Sequence, residues 1–189
     1  QPVHSWLAGE TKEIEDAIGQ NDTLAGAQFV GNVMESERGV ISIAGMLHEE
    51  SPGTPGWDVD WYSFKVDPQE LSPDATDALG EGWSWPLVVD VDYADGLGRP
   101  NTRISIFNSS GALIYSGSDS NITDDRPLPL AERETADLSR GSVGASDPFL
   151  GPISFPPTLE PDEFYFLAIS HEEHVPTILA NGTASLEPI

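Results

Sequence analysis

The segment 56–66, with the sequence GWDVDWYSFKV, constrains the fold more than any other stretch, because large apolar side chains recur in it with a period of two. Such alternation, with aromatic and β-branched residues, predicts a strand rather than a helix. One face of this strand would carry Trp61, Ser63 and Lys65, and the other face would carry Tyr62, Phe64 and Val66.

Two carboxylates, Asp58 and Asp60, stand where this strand begins. Aspartate is depleted in strands, so the pair needs a physical reason. A hard cation that joins the strand start to a neighbouring loop is one reason. The alternative is an ordinary turn cap that keeps an edge soluble.

The charge balance excludes several classes of partner. Asp and Glu number 32 against 8 Lys and Arg, which gives a formal net charge of −24. Nucleic acid and anionic membrane surfaces require basic residues, so neither is an expected partner. High solubility and divalent cations suit such a chain. The 5 Trp and a hydrophobic content of 38% argue against a disordered acidic tail.

The absence of cysteine excludes disulfides, thiol catalysis and cysteine-ligated zinc. No apolar run is long enough to insert into a membrane. No signal peptide precedes Gln1, so we expect a mature form or an excised piece of a secreted or cell-surface protein.

Short strands separated by turn residues recur along the chain and predict an all-β protein. The predicted strands cover residues 27–34, 39–47, 60–66, 86–93, 102–107, 112–115, 164–169 and 183–186. We expect an antiparallel β-sandwich of the jelly-roll or Greek-key type with about eight strands. Residues 1–26 form an irregular acidic segment, residues 27–189 form the sandwich, and residues 116–162 form a long loop within it.

Strict alternation of antiparallel strands would collect many acids at one end of the sandwich. The third predicted strand starts at that end, the fourth finishes there, and the long loop would both start and finish there. A calcium ion takes six to eight oxygen ligands, so crowded carboxylates at this end predict calcium binding. The candidate ligands beside the strands are Asp58, Asp60, Asp92, Asp95, Asp124 and Asp125, with Glu13, Glu15, Asn21 and Asp22 before the first strand.

Several motifs, in order along the chain, resemble those of bacterial pre-peptidase C-terminal domains. Glu13-x-Glu15 and then Asn21-Asp22 resemble the opening of these domains. Gly45, the run from Asp58 to Val66, the hairpin over 102–115, the pair Asp124-Asp125 and the strand over 161–169 resemble later motifs. Residues 92–96, 137–144 and 147–152 resemble versions found in large planctomycete-type surface proteins.

The resemblance implies a calcium-stabilised β-sandwich attached to a secreted enzyme or surface protein, related to the collagen-binding modules of clostridial collagenases. It also implies that the opening acids and the Asp58-x-Asp60 region share calcium. The chain departs from the pattern in two places. Residues 16–20 are inserted between Glu15 and Asn21 without a proline, and the segment 126–161 is longer than usual.

Catalysis is not expected. The run His171-Glu-Glu-His174 lacks the spacing of a zinc-protease motif, and Ser146 does not lie in a nucleophile elbow. We therefore expect a non-catalytic module for adhesion, substrate targeting or spacing. Its partners would be calcium and an extracellular polymer, either a polysaccharide or a collagen-like protein. The alternatives are a carbohydrate-binding module, or a fibre subunit that pairs strands with neighbouring copies of itself.

Overall fold

The computed structural model describes residues 6–9, 21–35, 39–45, 47, 58–69, 82–91, 101–118, 148–172 and 176. Within these residues the chain forms strands and one short 3-10 helix, Leu24–Gly26. The strands are β1 (Trp6–Gly9), β2 (Gln28–Asn32), β3 (Ile41–Ala44), β4 (Val59–Lys65), β5 (Trp85–Asp90), β6 (Thr102–Phe107), β7 (Leu113–Gly117), β8 (Phe149–Phe155) and β9 (Tyr165–His171).

The strands form a sandwich, which confirms the predicted all-β class. The main sheet has the order β2-β4-β9-β6-β7, while β5 pairs with β8 and β1 pairs with β3. Most pairs are antiparallel, but β2 with β4 and β1 with β3 are parallel. The main core lies between the sheets and includes Tyr62, Phe64, Ile104, Ile106, Ile153 and Phe155.

The alternation predicted for β4 is confirmed by its two environments. Tyr62, Phe64 and Val66 belong to the main core, whereas Trp61 packs on the other face with Val59, Phe107 and Ala168 in a second cluster. β4 is hydrogen-bonded on both sides, to β2 and to β9. β4 is thus an interior strand of the sheet. The main core covers one of its faces and the second cluster covers the other, so all of its residues except Lys65 are buried.

The predicted hairpin over 102–115 is also confirmed, with its turn at Asn108-Ser-Ser-Gly111. It joins β6 to β7. Gly111 has a φ of 77°, a conformation that glycine adopts without steric cost, and its N–H donates to Asn108 O at 2.9 Å. The predicted strand over 183–186 lies outside the described residues.

β8 corrects the prediction that residues 116–162 form one long loop. This strand pairs antiparallel with β5 and buries Ile153 and Phe155 in the main core. Its sequence, FLGPISF, contains Gly151 and Pro152, which interrupt the apolar alternation. Both stand beside a register irregularity between Leu87 and Val89 of β5, where a strand tolerates such residues.

The N-terminal segment also differs from its prediction as an irregular stretch. β1 lies in it and pairs parallel with β3, from Trp6 opposite Ile41 to Gly9 opposite Ala44. Four residues are too few for a periodic pattern to identify a strand, so the pairing partner decides the conformation.

The predicted alternation of strand directions fails at its last step. β7 and β9 both pair antiparallel with β6, so they run in the same direction. β8, which the sequence did not predict, lies between them in the chain. The chain therefore leaves β7 at the end of the main sheet where β4 begins, but it enters β9 at the opposite end. The prediction that the long segment starts and finishes at one end is wrong for its finish.

Tyr165 gives the core an expected weakness at high pH. Its hydroxyl donates to Pro156 O at 2.9 Å, and its ring packs on Phe155. Burial, with Glu163 and Tyr115 nearby, raises the pKa of Tyr165 from 10.0 to about 12. The folded state therefore favours the neutral phenol of Tyr165. The stability that this preference contributes is fully present below the pKa that Tyr165 has in the unfolded chain.

We expect the free energy of unfolding to fall by up to about 2–3 kcal/mol as the pH rises from about 10 to 12, because the unfolded chain loses the Tyr165 proton first. Urea unfolding across this range measures the loss. Tyr165→Phe should begin less stable, without the bond to Pro156, but should lose less on alkalinisation. An equal alkaline loss in Tyr165→Phe would contradict the assignment to Tyr165.

Candidate metal site at the start of the central strand

The two acids that open β4 are enclosed by the fold. Asp58 is 5% exposed and Asp60 is 2% exposed, although both are aspartates. By alternation along the strand, Asp60 shares the core-facing side of β4 with Tyr62 and Phe64. Burying a carboxylate is unfavourable unless hydrogen bonds, a proton or a cation compensate it. The position of these acids therefore requires a local source of compensation.

Asn21 and Asp22 lie beside the start of β4, as the sequence predicted. The N–H of Trp61 donates to the main-chain oxygen of Asn21 at 2.8 Å, and Asn21 is 1% exposed. Asp22 is half-buried, and its Oδ1 atom is fully buried without a hydrogen bond within the described residues. Four of the predicted ligands, two on each segment, are thus held at one end of the main sheet.

A short 3-10 helix fixes this arrangement. Thr23 caps the helix, and its Oγ1 accepts from Gly26 N at 3.2 Å. Leu24, the first residue of the helix, and Ala27, which follows it, pack against the second apolar cluster of Val59, Trp61, Phe107 and Ala168. Apolar contacts after Asp22 therefore hold the polar pair Asn21-Asp22 next to β4.

Sequence reasoning missed two further polar side chains at this end. Ser170 of β9 lies opposite Val59 and is 1% exposed, and Asn101 directly precedes β6. Ser170 Oγ and Asn101 Oδ1 are buried and have no hydrogen-bond partner in the part of the chain that the structure describes. The register of β9 against β4 places Ser170 at this end of the sheet, on the face of Val59 and Trp61 and not on the face of Asp60, and no local motif marks it.

A polar network beside these residues ties β6 to β9. Asn101 Nδ2 donates to Glu172 Oε2, and Glu172 N donates to Asn101 O at 2.8 Å. Arg103 donates from Nε to Glu172 O at 3.4 Å and from its guanidinium NH1 to Ser116 Oγ at 3.4 Å. The only described guanidinium at this end therefore bonds to β7 and to the end of β9. His171, the last residue of β9, and Glu172, which follows it, are each half-buried.

The remaining predicted ligands are not described. Glu13, Glu15, Asp92, Asp95, Asp124 and Asp125 all lie outside the described residues. Among the residues that are described, no three histidine, aspartate or glutamate side chains form a group that could hold a metal ion. The described donors are therefore a mixed set of carboxylate, amide and main-chain oxygens rather than a carboxylate cluster.

The tryptophans near strand ends pack inward rather than forming a surface platform. Trp61 is 3% exposed in the second apolar cluster. Trp83 and Trp85 pack against the main core with ring centroids 5.8 Å apart. Trp57 is outside the described residues. The rings of Trp61, Trp83 and Trp85 therefore contribute to the apolar interior of the sandwich.

Comparison with known proteins gives no relative from which a role can be transferred. No protein-family model, no curated protein and no solved structure matches the chain. In the described residues, no helix is long and apolar enough to cross a membrane.

Proposed function

We propose that this protein is a non-catalytic, calcium-binding β-sandwich module of a secreted or surface protein. Its role would be adhesion, substrate targeting or spacing within that larger protein. The observation that carries this proposal is the burial of Asp58 and Asp60 at the start of the central strand, beside Asn21 and Asp22.

Calcium suits the available donors better than other common metals do. The side chains and main-chain groups at this end offer oxygen atoms, and the chain contains no cysteine. Calcium accepts a variable number of carboxylate, amide and carbonyl oxygens, whereas magnesium requires a near-ideal octahedron. Asn21, Asp22, Asp58 and Asp60 would hold the ion, with further oxygens from the acidic segments before and after the strands.

The bound ion would act on structure rather than on a reaction. It would neutralise carboxylates that the fold keeps away from water. It would also join the segment before β2 to the start of β4, which the apolar contacts of Leu24 and Ala27 already bring together. A module stabilised in this way suits calcium-rich extracellular conditions and needs no disulfide.

Thermal unfolding with and without calcium tests the proposal. Free calcium at a hundredfold above its dissociation constant adds about 2.7 kcal/mol per site, which raises the Tm of a chain of this size by about 5–10 °C. Differential scanning calorimetry with calcium, with magnesium and with a chelator measures the shift. We expect the rise with calcium and little rise with magnesium.

Asp60→Asn should remove most of the calcium-dependent rise. Asp162→Asn is the matched control, because it makes the same chemical change at an exposed residue in the loop before β9. Any cation partly screens a net charge of −24, so the comparison is made at fixed ionic strength. An equal rise in both variants would show general screening and would refute a site at Asp60. No rise in the wild-type chain would refute calcium binding.

A further inference from the structure

Three phenylalanines on the outer face of the main sheet form a partly exposed aromatic surface, here called the phenylalanine patch: Phe29, which is exposed, and Phe164 and Phe166, which are half-buried. Phe29 is 56% exposed, more than any other large apolar side chain described. Its ring lies edge-on to Phe164 at 5.7 Å, and Phe164 lies 6.5 Å from Phe166. A soluble protein keeps few such clusters without a function.

The register across the sheet defines the shape of the patch. Phe29 of β2 lies opposite Ser63 of β4, which lies opposite Phe166 of β9. Ser63 is small and 6% exposed, so the surface between the rings of Phe29 and Phe166 lies lower than the rings themselves. Lys65 and Phe164 extend the patch toward the end of β4, away from Asp58 and Asp60. The patch is therefore separate from the proposed calcium site.

Lys65 shows which kind of group this surface accepts. Its ammonium group lies over the Phe164 ring, 5.0 Å from the centroid. The same nitrogen donates to the main-chain oxygens of Pro161 at 3.0 Å and Glu160 at 3.4 Å. The π face of a ring and two carbonyl oxygens thus bind one cation within the chain itself.

The rim of the patch is acidic. Glu160 and Asp162 are exposed in the loop before β9, and Glu163 Oε2 accepts from Leu159 N at 2.8 Å, which orders this loop. The whole chain has a net charge of −24. An acidic polymer, or a second copy of this chain, would be repelled from this rim, whereas a basic partner would be attracted.

Strand addition does not explain the patch. β2 pairs with β4 alone among the described strands, but its register shifts between Phe29 and Gly31, where Gly31 has a φ of 119°. Such a bulge twists the backbone and weakens the edge as a template for another strand. Recognition at this face would therefore depend on side chains.

We propose that the phenylalanine patch binds a basic, extended polypeptide segment of a partner protein. Arginine or lysine side chains of the partner would stack on Phe29 and Phe166 and would pair with Glu160 and Asp162. This assignment does not rest on calcium binding, and its test is made at constant calcium concentration.

Fluorescence anisotropy with a labelled peptide of alternating arginine and serine tests the assignment, at about 0.15 M salt, where long-range attraction is screened. The same peptide with citrulline in place of arginine keeps the shape but removes the charge. We expect wild-type protein to bind the arginine peptide more tightly than the citrulline peptide. Phe29→Ser should weaken the arginine peptide about three- to tenfold, the scale of one or two cation–π contacts.

The matched control is Val40→Ser, which removes another exposed apolar side chain, 45% exposed, outside the patch. It should bind as the wild type does, and the double variant Glu160→Gln/Asp162→Asn should bind more weakly. Equal affinities of Phe29→Ser and Val40→Ser would overturn the proposal, because binding would then reflect the acidic surface as a whole.

Two other results would replace the proposed occupant. Equal binding of the arginine and citrulline peptides, or binding of a neutral oligosaccharide that Phe29→Ser abolishes, would assign the patch to a neutral polymer. Self-association in analytical ultracentrifugation that Phe29→Ser abolishes would assign it to a second copy. Thermal melts of every variant establish that each is folded, and a calcium-dependent Tm that is unchanged in Phe29→Ser separates this test from that of the calcium site.

Discussion

Replacing Asn32 by leucine is expected to lower the free energy of unfolding by about 3–5 kcal/mol, because three buried main-chain groups would lose their partners. Asn32 is 2% exposed at the end of β2. Its Oδ1 accepts from Asp67 N at 3.0 Å and from Met34 N at 3.2 Å. Its Nδ2 donates to Asp67 O at 2.8 Å. One side chain therefore joins the chain after β2 to the chain after β4.

The control for Asn32 is Asn108, whose Oδ1 also accepts main-chain N–H bonds, from Ser110 at 3.1 Å and Ala112 at 2.9 Å. Asn108 lies in the β6–β7 hairpin beside exposed residues, so water can replace part of the hydrogen bonding that is lost when its side chain is removed. Asn108→Ala should cost only about 1 kcal/mol. Urea unfolding followed by tryptophan fluorescence, with calcium fixed, measures both variants. A cost below about 1 kcal/mol for Asn32→Leu would contradict the role of this side chain.

Replacing Phe155 by alanine is expected to cost about 3–5 kcal/mol, the range for removing a buried aromatic ring. Phe155 is 1% exposed and belongs to β8. Its ring centroid lies 4.8 Å from that of Tyr165, 5.9 Å from that of Phe64 and 6.4 Å from that of Tyr115. These three partners lie on strands of the main sheet, so Phe155 packs the β5–β8 sheet against the main sheet.

The loss should appear both in urea unfolding and as a weaker near-ultraviolet circular dichroism signal, since the aromatic packing changes. Phe29→Ala removes the same atoms from a side chain that is 56% exposed, and it should cost less than about 1 kcal/mol. If the two variants were equally stable, the contact between the sheets would not depend on Phe155. The same measurement also establishes that Phe29 variants fold, which the binding test requires.

The candidate site illustrates the limit of prediction from this sequence. Asp58 and Asp60 could be identified because aspartate is unfavourable in strands, yet both stand at the start of a run of alternating apolar residues. Asn21 and Asp22 could be placed beside them by counting strand directions, because β2 and β4 do run parallel. Ser170 and Asn101, at the same end of the sheet, could not be identified, since pairing with residues distant in the chain decides the position of each.

The phenylalanine patch could not be predicted from the sequence for the same reason. Phe29 lies more than 130 residues before Phe164 and Phe166, and each residue by itself reads as part of an ordinary strand. The parallel register of β2 with β4 and the antiparallel register of β4 with β9 together bring the rings onto one face. The exposure of Phe29 also depends on tertiary packing. Leu24 and Ala27 cover the outer face of the sheet near Trp61, whereas Phe29 stays exposed.

Four properties follow from the sequence alone: the class of the fold, most strand positions, the two faces of β4 and the acidic character that suits a cation. These properties are local, since side-chain alternation and turn residues act over a few positions. The strand status of β1 and β8, the direction of β9 and the position of Ser170 beside Val59 follow only from the tertiary structure. In a β-sheet the partner strand supplies the donor or the acceptor of every hydrogen bond between the strands, as well as the neighbouring side chains. A short or interrupted segment such as FLGPISF therefore becomes a strand only when its partner is present.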